Sequence, residues 1–365
     1  MLDTSDFYSE LIAQGIEFFC GVPDSLLKDF CSCLQENCPE EKNIITANEG
    51  NALGLAAGYH LTSRKVALLY LQNSGLGNII NPLLSLVDSK VYNIPVLLLI
   101  GWRGEPGISD EPQHIRQGEL TLPLLKTMGI PYEILIDCSQ VKTAVQYIKK
   151  TNLPFALVVK KGTFSPYVYT PLISENDLSR EEAIKEVLSL ISKKDVIVST
   201  TGMISREVYE NTSYHNNCFF TVGSMGHASS IAFGIALTKQ DRNIFCLDGD
   251  GALMMHMGAL PVITSRQPKN FKHIIFNNHA HDSVGGQPTA SSHISLTTCA
   301  TALGYKHVFQ AKTLADIKSV WPTFYTANGP CLLEIKVRCG ARKNLGRPKE
   351  TPQKNKALFM KFLEE

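Results

Sequence analysis

Asn243-Ile-Phe-Cys-Leu-Asp248-Gly249-Asp250-Gly251 is the stretch that decides how this chain folds. An apolar run ends there in a Gly-Asp-Gly turn. After 25 intervening residues a second run, Lys272-His-Ile-Ile-Phe276, leads into Asn277-Asn278. The pattern predicts strand, tight turn, helix, strand. Such a turn offers backbone N–H groups at a helix start, where the dipole favours phosphate. Asp250 and an asparagine at the ends of two parallel strands can share one hard cation through oxygen. Mg²⁺ takes octahedral oxygen ligands and shares them with phosphates. The spacing therefore predicts a Mg²⁺–diphosphate site.

Working outward, apolar runs recur with helical patterns between them. The first half predicts strands at Ile16–Cys20, Asn43–Ala47, Val66–Leu71, Pro95–Gly101, Tyr132–Ile136 and Pro154–Val159. The second half predicts them at Asp195–Ser199, Cys218–Val222, Asn243–Leu247, Lys272–Asn277, Lys306–Phe309 and Cys331–Val337. Alternating strands and helices imply an α/β fold of two doubly wound, mostly parallel sheets. Ligands bind such sheets at the carboxyl ends of strands. Glu49, Met225, Asp250 and Asn278 all fall there. Glu49 stands at a strand-to-helix junction before the small residues Gly50-Asn-Ala-Leu-Gly54, and so points into a buried cleft. The expected domains are residues 1–165 and 181–365, joined by a polar, proline-bearing linker at 166–180.

The 365 residues suggest two domains, and their 44% hydrophobic content suffices for buried sheets. A net charge of +1 gives no bias toward nucleic acid or membrane. No apolar run approaches the roughly 18 residues of a membrane helix, and the first residues lack a secretory signal pattern. Ten scattered cysteines, several inside apolar runs, suit reduced thiols and a cytoplasmic location.

Gly-Asp-Gly followed at this spacing by Asn-Asn resembles the diphosphate-binding motif of the thiamin diphosphate (ThDP) enzymes. The resemblance implies ThDP and Mg²⁺ as cofactors. Asp250, Asn278 and the carbonyl of Ala280 would hold the metal. Gly249, Gly251 and Ala252 would meet the diphosphate. It makes Glu49 the residue that hydrogen-bonds N1′ of the aminopyrimidine and favours its imino tautomer. Gly223-Ser224-Met225-Gly-His227 then matches the segment that bends the cofactor. Met225 is the apolar prop, and the Gly223 carbonyl accepts from the pyrimidine amine. In that family Glu49 and the diphosphate site belong to different domains, and the cofactor spans a subunit interface. A homodimer or higher oligomer is implied, without the central third domain many relatives carry.

Within the family, five segments are similar to a small branch, the phosphonopyruvate decarboxylases. They are Gly21-Val-Pro-Asp-Ser-Leu-Leu27, Gly101-Trp-Arg-Gly-Glu-Pro-Gly107, Asp110-Glu-Pro-Gln-His114, His281-Asp-Ser-Val-Gly-Gly-Gln287 and Arg342-Lys-Asn-Leu-Gly-Arg-Pro348. The implied reaction is non-oxidative decarboxylation of a 2-keto acid, 3-phosphonopyruvate, to phosphonoacetaldehyde in phosphonate biosynthesis. The phosphonate needs cations, and arginine suits bidentate contact. Arg103 and Arg116, with His114, are read as a loop after a strand. Arg342, Lys343 and Arg347 are read as a basic cluster able to close over the site. His114, His281 and His227 are acid–base candidates. Asp24 or Ser25 would contact the reacting carboxylate, or cap the next helix.

His279 departs from the family, which has glycine after the two asparagines. A positive φ is the conformation at issue. Three other functions stay open: a sulfopyruvate decarboxylase, a carboligase, and an inactive ThDP-binding regulatory subunit. A single fused chain and the Arg342–Pro348 segment favour phosphonate over sulfonate.

Overall fold

The computed structural model describes residues 1–168 and 176–365. The chain divides into two compact units, Met1–Pro171 and Leu172–Glu365. Residues 169–175 of the expected linker lie outside the described residues. Beyond them, Leu178 and Arg180 are already buried in the second unit.

The first unit carries β1 (Phe19–Gly21), β2 (Asn43–Ile45), β3 (Ala67–Gln72), β4 (Val96–Gly101), β5 (Tyr132–Ile134) and β6 (Phe155–Val159). They form one parallel sheet in the order β2-β1-β3-β4-β6-β5. The second unit carries β7 (Val196–Ser199), β8 (Cys218–Phe220), β9 (Ile244–Gly249), β10 (Phe271–Asn277), β11 (His307–Ala311) and β12 (Cys331–Lys336). Its parallel order is β11-β12-β10-β9-β7-β8. All twelve expected strands are present, and no third sheet occurs among the described residues.

Alternation within the strands explains the layering. Leu68 and Tyr70 of β3 face one core, while Ala67, Leu69 and Leu71 face another. In β9, Phe245 and Leu247 face one core, Ile244 and Cys246 the other. Both faces of each sheet are covered by helices, so the strands read as unbroken apolar runs.

One strand starts later than expected, for a local reason. Ile16 closes the preceding helix, Thr4–Ala13. Gly15 has φ 88°, its N–H bonds the Ile12 carbonyl, and the Ile16 N–H bonds the Leu11 carbonyl. This is a Schellman cap, with glycine in the left-handed position and an apolar residue after it. β1 therefore begins at Phe19.

In both sheets the strand order reverses beside the first strand. In the second unit β8 and β9 lie on opposite sides of β7, which opens a crevice at their carboxyl ends. The turn after β9 carries Asp250, and the loop after β10 carries Asn278.

Candidate active site

The cleft of the second unit lies at that crevice. Thr200 and Thr201 after β7, Met225 after β8, Gly249–Ala252 at the end of β9, and Asn278, Ala280 and His281 after β10 line it. Arg180, Asp282 and Ser283 complete one wall. All the expected metal residues share this cleft. Gly223 and Ser224 stand just before it, and Ser224 has φ 53°. Room at Gly251 is tight: a Cβ there would stand 3.1 Å from His281 Cε1, so the imidazole would have to give by a few tenths of an ångström. Asp250, Asn278 and the Ala280 carbonyl form an all-oxygen donor set, the kind Mg²⁺ selects. The small-residue cradle and this donor set fit a diphosphate with its cation.

Polar groups hold the donors in place. Asp250 is 2% exposed. Its Oδ2 accepts from Thr289 Oγ1 at 2.5 Å and Ser291 Oγ at 2.8 Å. Ser291 is fully buried and also meets Asn277 Oδ1 at 3.2 Å and His279 Nδ1 at 2.7 Å. One hydroxyl thus joins the β9 turn to the β10 loop. His279 does adopt the left-handed conformation, with φ 59°. The strain is offset by bonds from its N–H to Asn277 Oδ1 and from the Thr289 N–H to its carbonyl. Burial lowers the His281 pKa against the opposing charges of Asp250 and Asp282, which keeps the imidazole neutral near pH 7. His227, exposed, packs with its ring tilted 47° against that of His256, a residue that sequence reading missed, with centroids 4.3 Å apart.

In the first unit Glu49 is the first residue of helix Glu49–Ser63, capped by Asn48. The side chain is 5% exposed. Its Oε2 accepts from Asn78 Nδ2 at 2.7 Å. A Cβ on Gly75 would stand 2.3 Å from Oε1, so only glycine leaves the carboxylate its place. Asn78 and Gly75 carried no recognised signal in the sequence.

A second cluster gathers at the carboxyl ends of β1 and β4. Asp24 is 1% exposed, and its Oδ1 has no hydrogen-bond partner. Oδ2 accepts from the Leu26 N–H at 2.9 Å. Arg103 Nη1 donates to Ser25 Oγ at 2.7 Å, and the guanidinium pairs in a fork with Asp110 at 2.5 and 2.8 Å. Asn73 grips the Arg103 backbone from both sides, donating to its carbonyl and accepting from its N–H. His114 is 8% exposed with Nδ1 unpartnered. Asp24, Ser25, Arg103 and His114 are therefore brought together. His114 and Arg116 do not lie in a loop, as expected, but on helix Pro112–Thr127, started by proline at its first position. Arg116 is exposed there and pairs with Glu119.

Burial sets the charges of this cluster. It raises the Asp24 carboxyl to about 6, against the lowering effects of the Leu26 N–H and Arg103. Burial and the nearby Arg103 charge lower His114 to about 4. Asp24 binds its proton more tightly folded than unfolded. Stability therefore falls as pH rises from about 4 through about 6, and the full penalty is present above that window. Asp24→Asn should flatten this slope and stabilise the protein at pH 7 by about 3 kcal/mol. Urea midpoints at pH 4 and pH 7 check it; a variant with an undiminished slope refutes the assignment.

The loop bearing Arg103 is locked by close backbone contact. A Cβ on Gly118 would stand 1.6 Å from the Gly104 carbonyl oxygen. Trp102 Nε1 donates to the Gly118 carbonyl at 2.9 Å. Gly118→Ala should cost about 1–3 kcal/mol by overpacking. Gly77→Ala, with open space around its Cβ, should be neutral or stabilising. Denaturant midpoints of the two variants test the contrast.

The C-terminal cations stand apart from this cluster's residues in sequence, and one of them is held by carboxylates of its own unit. Arg342 pairs with Glu181 and Glu210. Lys343 and Arg347 are exposed. Beside them Arg206 donates to the Leu345 and Gly346 carbonyls, strapping this segment to helix Met203–Asn211.

Comparison with known proteins agrees with the two-unit reading. Residues 4–123 match the thiamine pyrophosphate enzyme N-terminal TPP-binding domain, and residues 199–335 match the C-terminal TPP-binding domain. The chain is 31% identical to a phosphonopyruvate decarboxylase of Streptomyces viridochromogenes, over 100% of this chain and 95% of that one. It is 31% identical to another from Streptomyces hygroscopicus with the same coverage. A sulfopyruvate decarboxylase of Methanosarcina acetivorans is 30% identical over 86% of each chain. That last relative corrects one expectation: a single fused chain does not separate phosphonate from sulfonate enzymes. The chain belongs to the thiamine pyrophosphate (thiamin diphosphate) enzyme family, as a relative of the phosphonopyruvate and sulfopyruvate decarboxylases.

Proposed function

We propose that this protein catalyses the ThDP- and Mg²⁺-dependent, non-oxidative decarboxylation of 3-phosphonopyruvate to phosphonoacetaldehyde and CO₂, supplying phosphonate biosynthesis. The observation that carries the reading is the Asp24–Ser25–Arg103–His114 cluster, a buried acid beside a preorganised guanidinium. A 2-keto acid that carries both a carboxylate and a dianionic phosphonate needs an anion ligand and a proton source. Arg103 suits the first role, since its fork can exchange the two Asp110 oxygens for two oxygens of a tetrahedral phosphonate. Arg342, Lys343 and Arg347 are further candidate ligands, and Arg116, on the exposed face, is the weakest.

With Mg²⁺ held by Asp250, Asn278 and the Ala280 carbonyl, and the diphosphate by Gly249, Gly251 and Ala252, ThDP would supply the electron sink for loss of CO₂. This chain's residues do the rest. Glu49, held by Asn78, would hydrogen-bond N1′ and hold or return a proton there. Met225 would pack against the bound cofactor, and the Gly223 carbonyl would accept from its amine. Of the acid–base candidates, Asp24, a buried acid with its pKa raised to about 6, is the one assigned the final proton. His114, lowered to about 4, acts as a neutral hydrogen-bonding group, and so does His281. Ser25 orients Arg103. The active unit is a homodimer or higher oligomer in which the two kinds of unit meet between copies.

The test is ³¹P NMR of phosphonopyruvate with purified protein, ThDP and Mg²⁺, with sulfopyruvate and pyruvate in parallel under an aldehyde assay. A phosphonoacetaldehyde resonance that requires both cofactors supports the proposal. Sulfopyruvate loss beside an unchanged phosphonopyruvate signal moves the assignment to the sulfonate. The full-length likeness to two phosphonopyruvate decarboxylases favours the first outcome.

A further inference from the structure

Arg180 falls in the stretch read as linker, yet it is one of the most buried cations of the chain. Its side chain is 5% exposed and lines the cleft wall. Nε and Nη2 fork onto Glu207 at 2.8 and 3.0 Å, and Nη1 donates to Asp282 Oδ2 at 2.7 Å. The carboxylate side chains are 1% and 10% exposed. Burying three charges costs free energy that the pairing does not reliably return, so such a network is weak evidence for stability. Its place beside the metal residues gives it another use.

Asp282 Oδ2 also accepts from Asn278 Nδ2 at 2.7 Å. This oxygen already accepts from Arg180 and so acts as an acceptor, whereas an amide has one donating and one accepting end. Asp282 must therefore take the nitrogen of Asn278. The oxygen is turned the opposite way, where the Ala280 N–H meets it at 3.1 Å. A cation needs that oxygen; a flipped amide would present two N–H donors to it. The Gly340 N–H at 3.1 Å and the Cys339 thiol, which donates to the Asn278 carbonyl at 3.1 Å, tie the segment after β12 to the same loop.

We propose that Glu207, Arg180 and Asp282 are positioning residues that set the amide of Asn278 with its oxygen toward the cation. Glu207 fixes Arg180, Arg180 fixes the Asp282 carboxylate, and Asp282 orients the metal ligand. The inference rests on the ThDP–Mg²⁺ reading of the cleft.

The experiment measures the Mg²⁺ concentration for half-maximal ThDP binding, by calorimetry on the full chain. Wild type is compared with Asp282→Asn, Asp282→Ala, Arg180→Met and Arg180→Lys, each with its unliganded melting midpoint. Asp282→Asn keeps the shape but can pair with either end of Asn278. It should raise the Mg²⁺ requirement about 10–100-fold, the range for outer-shell partners of metal ligands. Asp282→Ala and Arg180→Met should do the same. Arg180→Lys, which keeps the charge without the fork, should fall between. Unchanged Mg²⁺ dependence in Asp282→Asn and Arg180→Lys overturns the inference while leaving the cofactor reading intact. So does a shift found only in variants whose unliganded midpoint has also dropped, with Arg180→Lys unmoved. A wild type whose ThDP binding ignores Mg²⁺ overturns both readings.

Discussion

Glu49→Gln will abolish most turnover while leaving cofactor binding in place. The side chain is buried beside Gly75 and accepts a hydrogen bond from Asn78. Glutamine keeps its volume and loses its ability to take a proton. Removing a positioned acid–base group costs about 10²–10⁴-fold in rate. The expected result is a fall of that size in kcat, with thermal stabilisation by ThDP and Mg²⁺ preserved. Wild-type turnover in the variant would remove Glu49 from the chemistry. A wild type that binds the cofactors but turns over no 2-keto acid would point to the regulatory-subunit alternative.

Asp250→Ala should have the complementary effect, losing cofactor binding itself. Asp250 brings the only charge among the three expected metal donors, and the Thr289 and Ser291 hydroxyls aim it. Deleting it should weaken Mg²⁺-dependent ThDP binding by at least the about 10–100-fold seen when outer-shell partners are removed. Calorimetry with and without Mg²⁺ reads this directly. The unliganded protein should remain folded, since the Thr289 and Ser291 hydroxyls left behind still meet each other and Asn277 Oδ1, and the sheet is untouched. Binding that survives at wild-type Mg²⁺ would exclude Asp250 as a ligand. Together the two variants separate activation from anchoring, because their residues lie in different units.

The sheets were legible because their signal is local. Each buried strand is an apolar run bounded by polar or glycine residues. The exception at Ile16 was also local in origin: an apolar residue can cap a helix as well as start a strand, and Gly15 decided for the cap. The left-handed backbone at position 279 was foreseeable from the family's glycine there.

The supports of the site were far less legible. Ser291 and Thr289 reach Asp250 across about forty positions, and serine and threonine at such spacing form no recognisable motif. Arg180 looked like a polar linker residue, since nothing in its neighbours announces burial. His114 and Arg116 lie two residues apart, so on a helix they point in different directions: one is buried, the other exposed. Arg342 was read by its charge alone, and its carboxylate partners, Glu181 and Glu210, lie more than 130 positions away in the chain.

By itself the sequence determined the two α/β units, the Gly249–Gly251 turn, the paired asparagines and the buried Glu49, because period, glycine placement and motif spacing are properties of neighbouring residues. Only the tertiary structure decided which polar groups converge. Strand order brings Arg103 to Ser25, and the packing of helix Arg180–Leu190 on the second sheet brings Arg180 to Asp282; neither is a property of any short stretch of chain.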